Sequence, residues 1–216
     1  MKTAGKGDAM KSIKLITVLS AFVMILGLAV TQANALTWDL NTSNVNLGIS
    51  GSFATVDITV VDNTAYFVIN ANDALLQPPV SGGNYGIDKF FFNSTLSNIA
   101  GSINVGLGWE VKVNQNASMF GVFELEYKGT GESRIDPLSF SITDTRISDP
   151  SQFYEANSAG YNFAAHIAGF QSLMGQSSAY FADGTPGAPV PEPSTMLLLG
   201  AGVLGMGIFG RKRMKG

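Results

Sequence analysis

The chain has 216 residues, is 45% hydrophobic, and holds 25 glycines, one histidine and no cysteine, so neither a disulfide nor a thiolate metal site holds it together. Its formal net charge of −3 hides an uneven spread, because four lysines lie before Ala35 and four basic residues follow Phe209. Residues 36–189 keep five basic against fourteen acidic side chains, a balance of −9, which excludes nucleic acid as a partner because phosphate contacts need the opposite sign.

At the N-terminal end, Lys11 and Lys14 precede an apolar run over residues 15–30, and Ala33-Asn34-Ala35 follows. A positive start, a short apolar stretch and a small-x-small site describe a signal peptide over residues 1–35. Ala33 and Ala35 are the small residues that signal peptidase would read, with cleavage after Ala35. The run is short of the roughly 20 residues that span a bilayer, so cleavage is expected rather than retention as an anchor. Met10 is an alternative start to Met1, since residues 1–9 add nothing that a signal peptide needs. The Sec translocon and signal peptidase are the partners this segment implies.

The middle of the chain reads as β. Short β-branched and aromatic runs recur, separated by Gly, Asn, Asp and Ser. Strands are expected over residues 45–49, 53–61, 65–70, 87–93, 102–105, 109–113, 120–127, 138–143, 161–167 and 179–182. In the second, Val56, Ile58 and Val60 share one face and Thr55, Asp57 and Thr59 the other. In the seventh, Phe123, Leu125 and Tyr127 oppose Glu124 and Glu126. Residues 77–83 are a loop rich in Pro and Gly. Asp149-Pro150-Ser151 predicts a one-turn helix through Glu155, with Asp149 as cap and Pro150 at the first position. About ten short strands predict an all-β fold, an antiparallel β-sandwich of jelly-roll type over residues 36–183.

Few residues in this stretch suggest chemistry. Glu124 and Glu126 would leave one strand face about 6.6 Å apart along the strand, a spacing at which two carboxylates can cleave a glycosidic bond. The third acid of the corresponding hydrolase motif is missing, so a solvated strand face is preferred. His166 is the only histidine, and no nucleophile elbow of the form Gly-x-Ser-x-Gly accompanies it. A structural hydrogen bond is its expected role. Asp57, Asp62, Asp73 and Asp88, with Asn63, Asn70 and Asn72, carry the hard oxygens calcium takes. No calcium-loop spacing organises them, and Asp and Asn are also the usual turn residues. The expectation is no catalytic set and no cofactor, with calcium as the alternative. Trp38, Tyr66, Tyr85, Trp109, Tyr127, Tyr154, Tyr161 and Tyr180 are candidates for stacking on a sugar or for packing.

The C-terminal end returns to targeting. Residues 184–193 form a Pro/Gly linker ending in Pro191, Glu192 and Pro193. The prolines hold this segment extended and out of helix. Residues 194–210 are apolar and glycine-rich, and residues 211–216 carry Arg211, Lys212, Arg213 and Lys215. The order is an extended recognition segment, a short transmembrane helix and a basic stop. The positive-inside rule puts the basic tail in the cytoplasm.

This tripartite segment resembles the PEP-CTERM sorting signal of Gram-negative bacteria, a segment also catalogued as an ice-binding protein C-terminal domain. The resemblance implies recognition at Pro191, Glu192 and Pro193 by an exosortase-like membrane transpeptidase. It also implies a protein that is held briefly in the inner membrane, with its domain in the periplasm, then moved to the cell surface or beyond. Such proteins accompany exopolysaccharide and biofilm. The resemblance gives the middle domain no activity. There, a non-enzymatic surface or matrix protein is the first expectation, a carbohydrate-binding module the second and a glycoside hydrolase the third.

Overall fold

The computed structural model describes residues 34–79 and 84–183. The signal peptide up to Ala33, part of the 77–83 loop, the linker, Pro191, Glu192, Pro193, the apolar C-terminal run and Arg211, Lys212 and Arg213 lie outside the described residues. Among the described residues, no helix is long and apolar enough to cross a membrane.

In chain order the strands are β1 (Asn34–Leu40), β2 (Thr42–Ser43), β3 (Ala54–Val61), β4 (Thr64–Ala71), β5 (Gly86–Phe92), β6 (Ile103–Asn104), β7 (Trp109–Asn116), β8 (Val122–Gly129), β9 (Leu138–Thr143), β10 (Phe163–Leu173) and β11 (Gln176–Ala182). A single helical turn, α1 (Asp73–Leu76), follows β4. Two antiparallel sheets pack face to face as the expected sandwich. One has the order β1-β3-β4-β9-β6 and the other β2-β11-β10-β5-β8-β7.

The β3–β4 hairpin shows how sequence sets structure here. Alternate burial along Ala54–Val61 sends Val56, Ile58 and Val60 into the core. Asp62 and Asn63, with φ of 46° and 62°, make the two-residue turn, a left-handed pair that Asp and Asn tolerate and that matches strand twist. The expected turn at Asp149 is also present, ending at Phe153 rather than at Glu155. Ser151 N donates to Asp149 Oδ1 at 2.8 Å, Asp149 N donates to Gln152 Oε1 at 3.0 Å, and Pro150 opens the turn Pro150–Phe153.

Two expectations need correction, and one strand was not foreseen. Residues 45–49 form no strand. Val45 N bonds the Ser43 hydroxyl and Gly48 N bonds the Asn46 side chain, so local side-chain bonds replace a ladder. A strand lies instead at Asn34–Leu40, where β1 pairs with β3 from Asn34↔Val60 to Leu40↔Ala54. The strand expected from Phe120 starts at Val122, because Ser118–Phe120 is a 3-10 turn closed by Gly121 at φ 88°.

The core is aromatic. Phe67 and Phe140 stack with centroids 4.7 Å apart, and Phe153 meets Phe67 edge-on at 5.1 Å. Tyr127 stacks on Phe140 at 4.5 Å. Each such side chain contributes about 1.5–3 kcal/mol by leaving water. A second, smaller cluster of Phe91, Phe120, Phe123, Ala117, Ala164 and Ala182 sits apart from this core. At the end of β11, the buried Asp183 carboxylate accepts from Asn162 N, Asn162 Nδ2 and Phe163 N at 2.9, 2.6 and 2.9 Å. It fastens the last described residue to the start of β10.

Candidate functional site: the charged face of the six-stranded sheet

Strand alternation sends Phe90, Phe92, Phe163, Ala165, Ile167 and Phe181 inward, so their neighbours on β5, β10 and β11 face outward. Register then builds two rows across the sheet. Tyr180, His166, Lys89, Lys128 and Glu110 are successive cross-strand neighbours on β11, β10, β5, β8 and β7. Beside them run Ala182, Ala164, Phe91, Glu126 and Lys112 on the same strands.

The register slips between His166↔Lys89 and Ile167↔Ile87, leaving Asp88 as an extra residue on β5. Such a bulge re-aims a side chain. Asp88 Oδ1 lies 2.6 Å from His166 Nδ1, and Arg134 Nε donates to Asp88 Oδ2 at 3.1 Å. Arg134 also donates to Asn84 O at 3.1 Å, which ties the β8–β9 loop to the chain before β5. Burial alone would raise the Asp88 carboxyl, but the bonds to His166 and Arg134 outweigh it and hold the group below its usual range.

Lys89 Nζ donates to the Tyr180 hydroxyl at 3.1 Å, and His166 packs on the Tyr180 ring with centroids 4.5 Å apart. Burial opposes the charge on Lys89, yet Tyr180, Glu126 and Asp88 keep its amine above the usual lysine value. Glu126 is only 4% exposed, and its carboxylate accepts no hydrogen bond from the described residues. Burial pushes this carboxyl upward, and the charges of Lys89, Lys128 and Lys112 do not fully offset that. Glu110 takes Lys112 at 3.1 Å and Lys128 at 3.9 Å.

Four of the five basic residues of the acidic stretch, Lys89, Lys112, Lys128 and Arg134, therefore gather on this face with the only histidine. The fifth, Arg146, is elsewhere, paired with Asp144 at 2.7 Å. Sequence reasoning missed this face, because its members come from five separated segments joined only by register.

The sequence-predicted residues are dispersed. Glu124 and Glu126 sit in different surroundings. Glu124 is exposed and accepts from Ser94 N at 3.2 Å, while Glu126 is buried. Burial along β8 breaks strict alternation between them. Glu124 instead lines a cleft of about 380 Å³ with Leu96, Asn98, Val113 and Asn114. A recess of about 230 Å³ adjoins it at Glu124 and Asn114 and is lined also by Asn93, Glu155 and Asn157.

His166 bonds Asp88, and among the described residues no hydroxyl is hydrogen-bonded to its ring. The candidate calcium ligands lie apart. Asp62 and Asn63 form a hairpin turn, Asp57 is bonded by Thr37 and Asn70, Asn72 caps α1, which Asp73 opens, and Asp88 is held by His166 and Arg134. No group of three or more acidic or histidine side chains able to hold a metal occurs among the described residues. Of the aromatic candidates, Trp38 is buried against Tyr154 and Trp109 stacks on Tyr127 at 4.8 Å, whereas Tyr66 is 49% exposed.

Residues 189–213 match the family model of the PEP-CTERM protein-sorting motif. The match includes Pro191, Glu192 and Pro193 and reaches Arg211, Lys212 and Arg213. No curated protein and no solved structure matches the chain.

Proposed function

The chain is a PEP-CTERM protein, exported and carrying an exosortase-type sorting signal over residues 189–213, and from that premise we propose that it is a non-enzymatic structural protein of the cell surface or extracellular matrix, linked to exopolysaccharide and biofilm. The observation that carries the reading is the placement of the motif. Asp183 closes the sandwich, and only residues 184–188 separate it from the matched segment. A sandwich fastened at its end, with only a short Pro/Gly stretch of sequence before the motif, suits a motif that a membrane enzyme must reach.

In this reading the Sec translocon threads the chain and signal peptidase cuts after Ala35. Residues 194–210 then hold the domain on the periplasmic side while Arg211, Lys212 and Arg213 stay in the cytoplasm. The transpeptidase acts at Pro191, Glu192 and Pro193. No cofactor is required for this role. Deleting Pro191, Glu192 and Pro193 tests it. The variant is expected to stay in the membrane fraction while the parent leaves it, and equal release of both overturns the reading.

A second reading, a carbohydrate-binding module, rests on the cleft at Glu124. Its lining offers the Asn98 and Asn114 amides and the Glu124 carboxylate beside Leu96 and Val113, the mixture of polar and apolar groups a sugar requires. Retention on an exopolysaccharide column that is lost in Asn114→Ala with Glu124→Ala supports it; retention unchanged by those substitutions removes the cleft from consideration.

A further inference from the structure

The six-stranded sheet ends in β7, and no described strand pairs with its outward edge. Both ends of that edge are occupied by the strand's own neighbourhood. Trp109 N donates to Gly106 O at 3.1 Å, and the Gln115 side chain donates to Val113 O at 2.8 Å and to Asn114 O at 3.4 Å. Between these caps, residues 110–112 meet no further hydrogen bond from another described segment on that side. An open edge of this kind is a template for another strand.

We propose that β7 pairs antiparallel with β7 of a second copy of this chain, about a twofold axis at Val111, so that two six-stranded sheets become one continuous sheet. The side chains select this occupant. Trp109 and Val111 lie on the core side of β7, and Glu110 and Lys112 on the charged face. A register that keeps apolar against apolar must pair odd with odd and even with even. Centred on Val111, Trp109 faces the partner's Val113 and Glu110 faces the partner's Lys112.

The neighbouring strands extend the match. Within one copy, Glu110 is opposite Lys128 and Lys112 is opposite Glu126. Across the axis the row therefore reads Lys128, Glu110, the partner's Lys112, the partner's Glu126, and symmetry repeats it in reverse. Charge alternates at every step. Moving the axis by one residue destroys this. Centred on Glu110 it sets Glu110 against the partner's Glu110, and centred on Lys112 it sets lysine against lysine, both unfavourable in directly opposed pairs. The intrachain contact of Lys112 with Glu110 is solvent-exposed and of small worth, so exchanging it across the axis costs little. An isologous contact of this kind closes after two copies.

The absence of cysteine makes the test direct. Opposed residues of an antiparallel pair have Cα atoms about 4.5–5.5 Å apart, within the range a disulfide bridges. Val111→Cys in the full chain, exported by cells and oxidised at physiological salt, is expected to give a covalent dimer on a non-reducing gel. Tyr66→Cys, exposed on the other sheet, is the control and should cross-link at least tenfold more slowly. Adding either Lys112→Glu or Glu110→Lys to Val111→Cys should slow self-cross-linking severalfold, and mixing the two variants should restore it as a mixed dimer, because each then meets the opposite charge across the axis while its own intrachain neighbours stay the same. The double variant Glu110→Cys with Lys112→Cys lies on the solvent face, leaves the core side untouched and should dimerise in the same way. Monomeric Val111→Cys and monomeric double variant, each still reactive to a maleimide, overturn the proposal. So does cross-linking indifferent to the charge reversals.

Discussion

Asp88 Oδ1 sits 2.6 Å from His166 Nδ1 across two neighbouring strands, 78 residues apart in sequence, and the one-residue bulge in β5 is what brings them together. Arg134 completes the contact at 3.1 Å from a loop between sheets. One carboxylate thus ties three segments.

Removing that carboxylate should show how much it holds. Asp88→Asn keeps the shape but weakens both charged hydrogen bonds, and a loss of about 2 kcal/mol is expected near neutral pH. The native carboxyl titrates lower when folded than unfolded. Its contribution is therefore present above the ordinary aspartate range and disappears as pH falls through the lowered value. Denaturant unfolding of both proteins from pH 7 down to pH 3 checks this, with the gap between them closing at the acid end.

Glu126 predicts the opposite slope. Its carboxyl is raised by burial, so the folded state disfavours its charge. The penalty is absent below the ordinary glutamate range and grows as pH rises through the raised value. Glu126→Gln should leave stability unchanged at pH 3 and raise it by roughly 1 kcal/mol at pH 7, seen as a gain of about 2–4 °C in Tm.

Phe67 touches Phe90, Phe92, Phe140 and Phe153 within ring-contact distance and is fully buried. Phe67→Ala should cost about 3–5 kcal/mol through the cavity it leaves. Chemical denaturation gives this value, and a loss under 1 kcal/mol would place the core elsewhere.

Asn34 and Ala35 pair with Val60 and Thr59 in the β1–β3 ladder. Cleavage after Ala35 would remove those two positions and leave five ladder residues, from Leu36 to Leu40. N-terminal sequencing of the exported protein should begin at Leu36, and a start before Asn34 would show that the whole ladder is retained.

The β3–β4 hairpin was legible in the sequence because alternation and an Asp-Asn turn agree there. The turn at Asp149 was legible because a capping aspartate followed directly by proline has a fixed spacing; the Gln152 bond that closes it emerged only in the structure. β1 was not, since Thr37, Trp38 and Asp39 mix polar and aromatic residues on an edge strand beside the signal segment. Residues 45–49 misled in the other direction, as Val45 and Ile49 favour strands while Asn46 and Gly48 bend the chain. The charged face was hidden for a different reason. Arg134, Asp88 and His166 show no common spacing, and the burial of Glu126 depends on its place between β5 and β7, where Phe91 and Lys112 are its cross-strand neighbours.

Central to this account is the use of residues 189–213 as a sorting signal that is cut. Mass spectrometry of the C-terminal peptide of the protein recovered outside the inner membrane tests it most directly. The account predicts a chain ending within or just before the segment of Pro191, Glu192 and Pro193, without the apolar run or Arg211, Lys212 and Arg213. A recovered protein that still ends at Gly216 would contradict it.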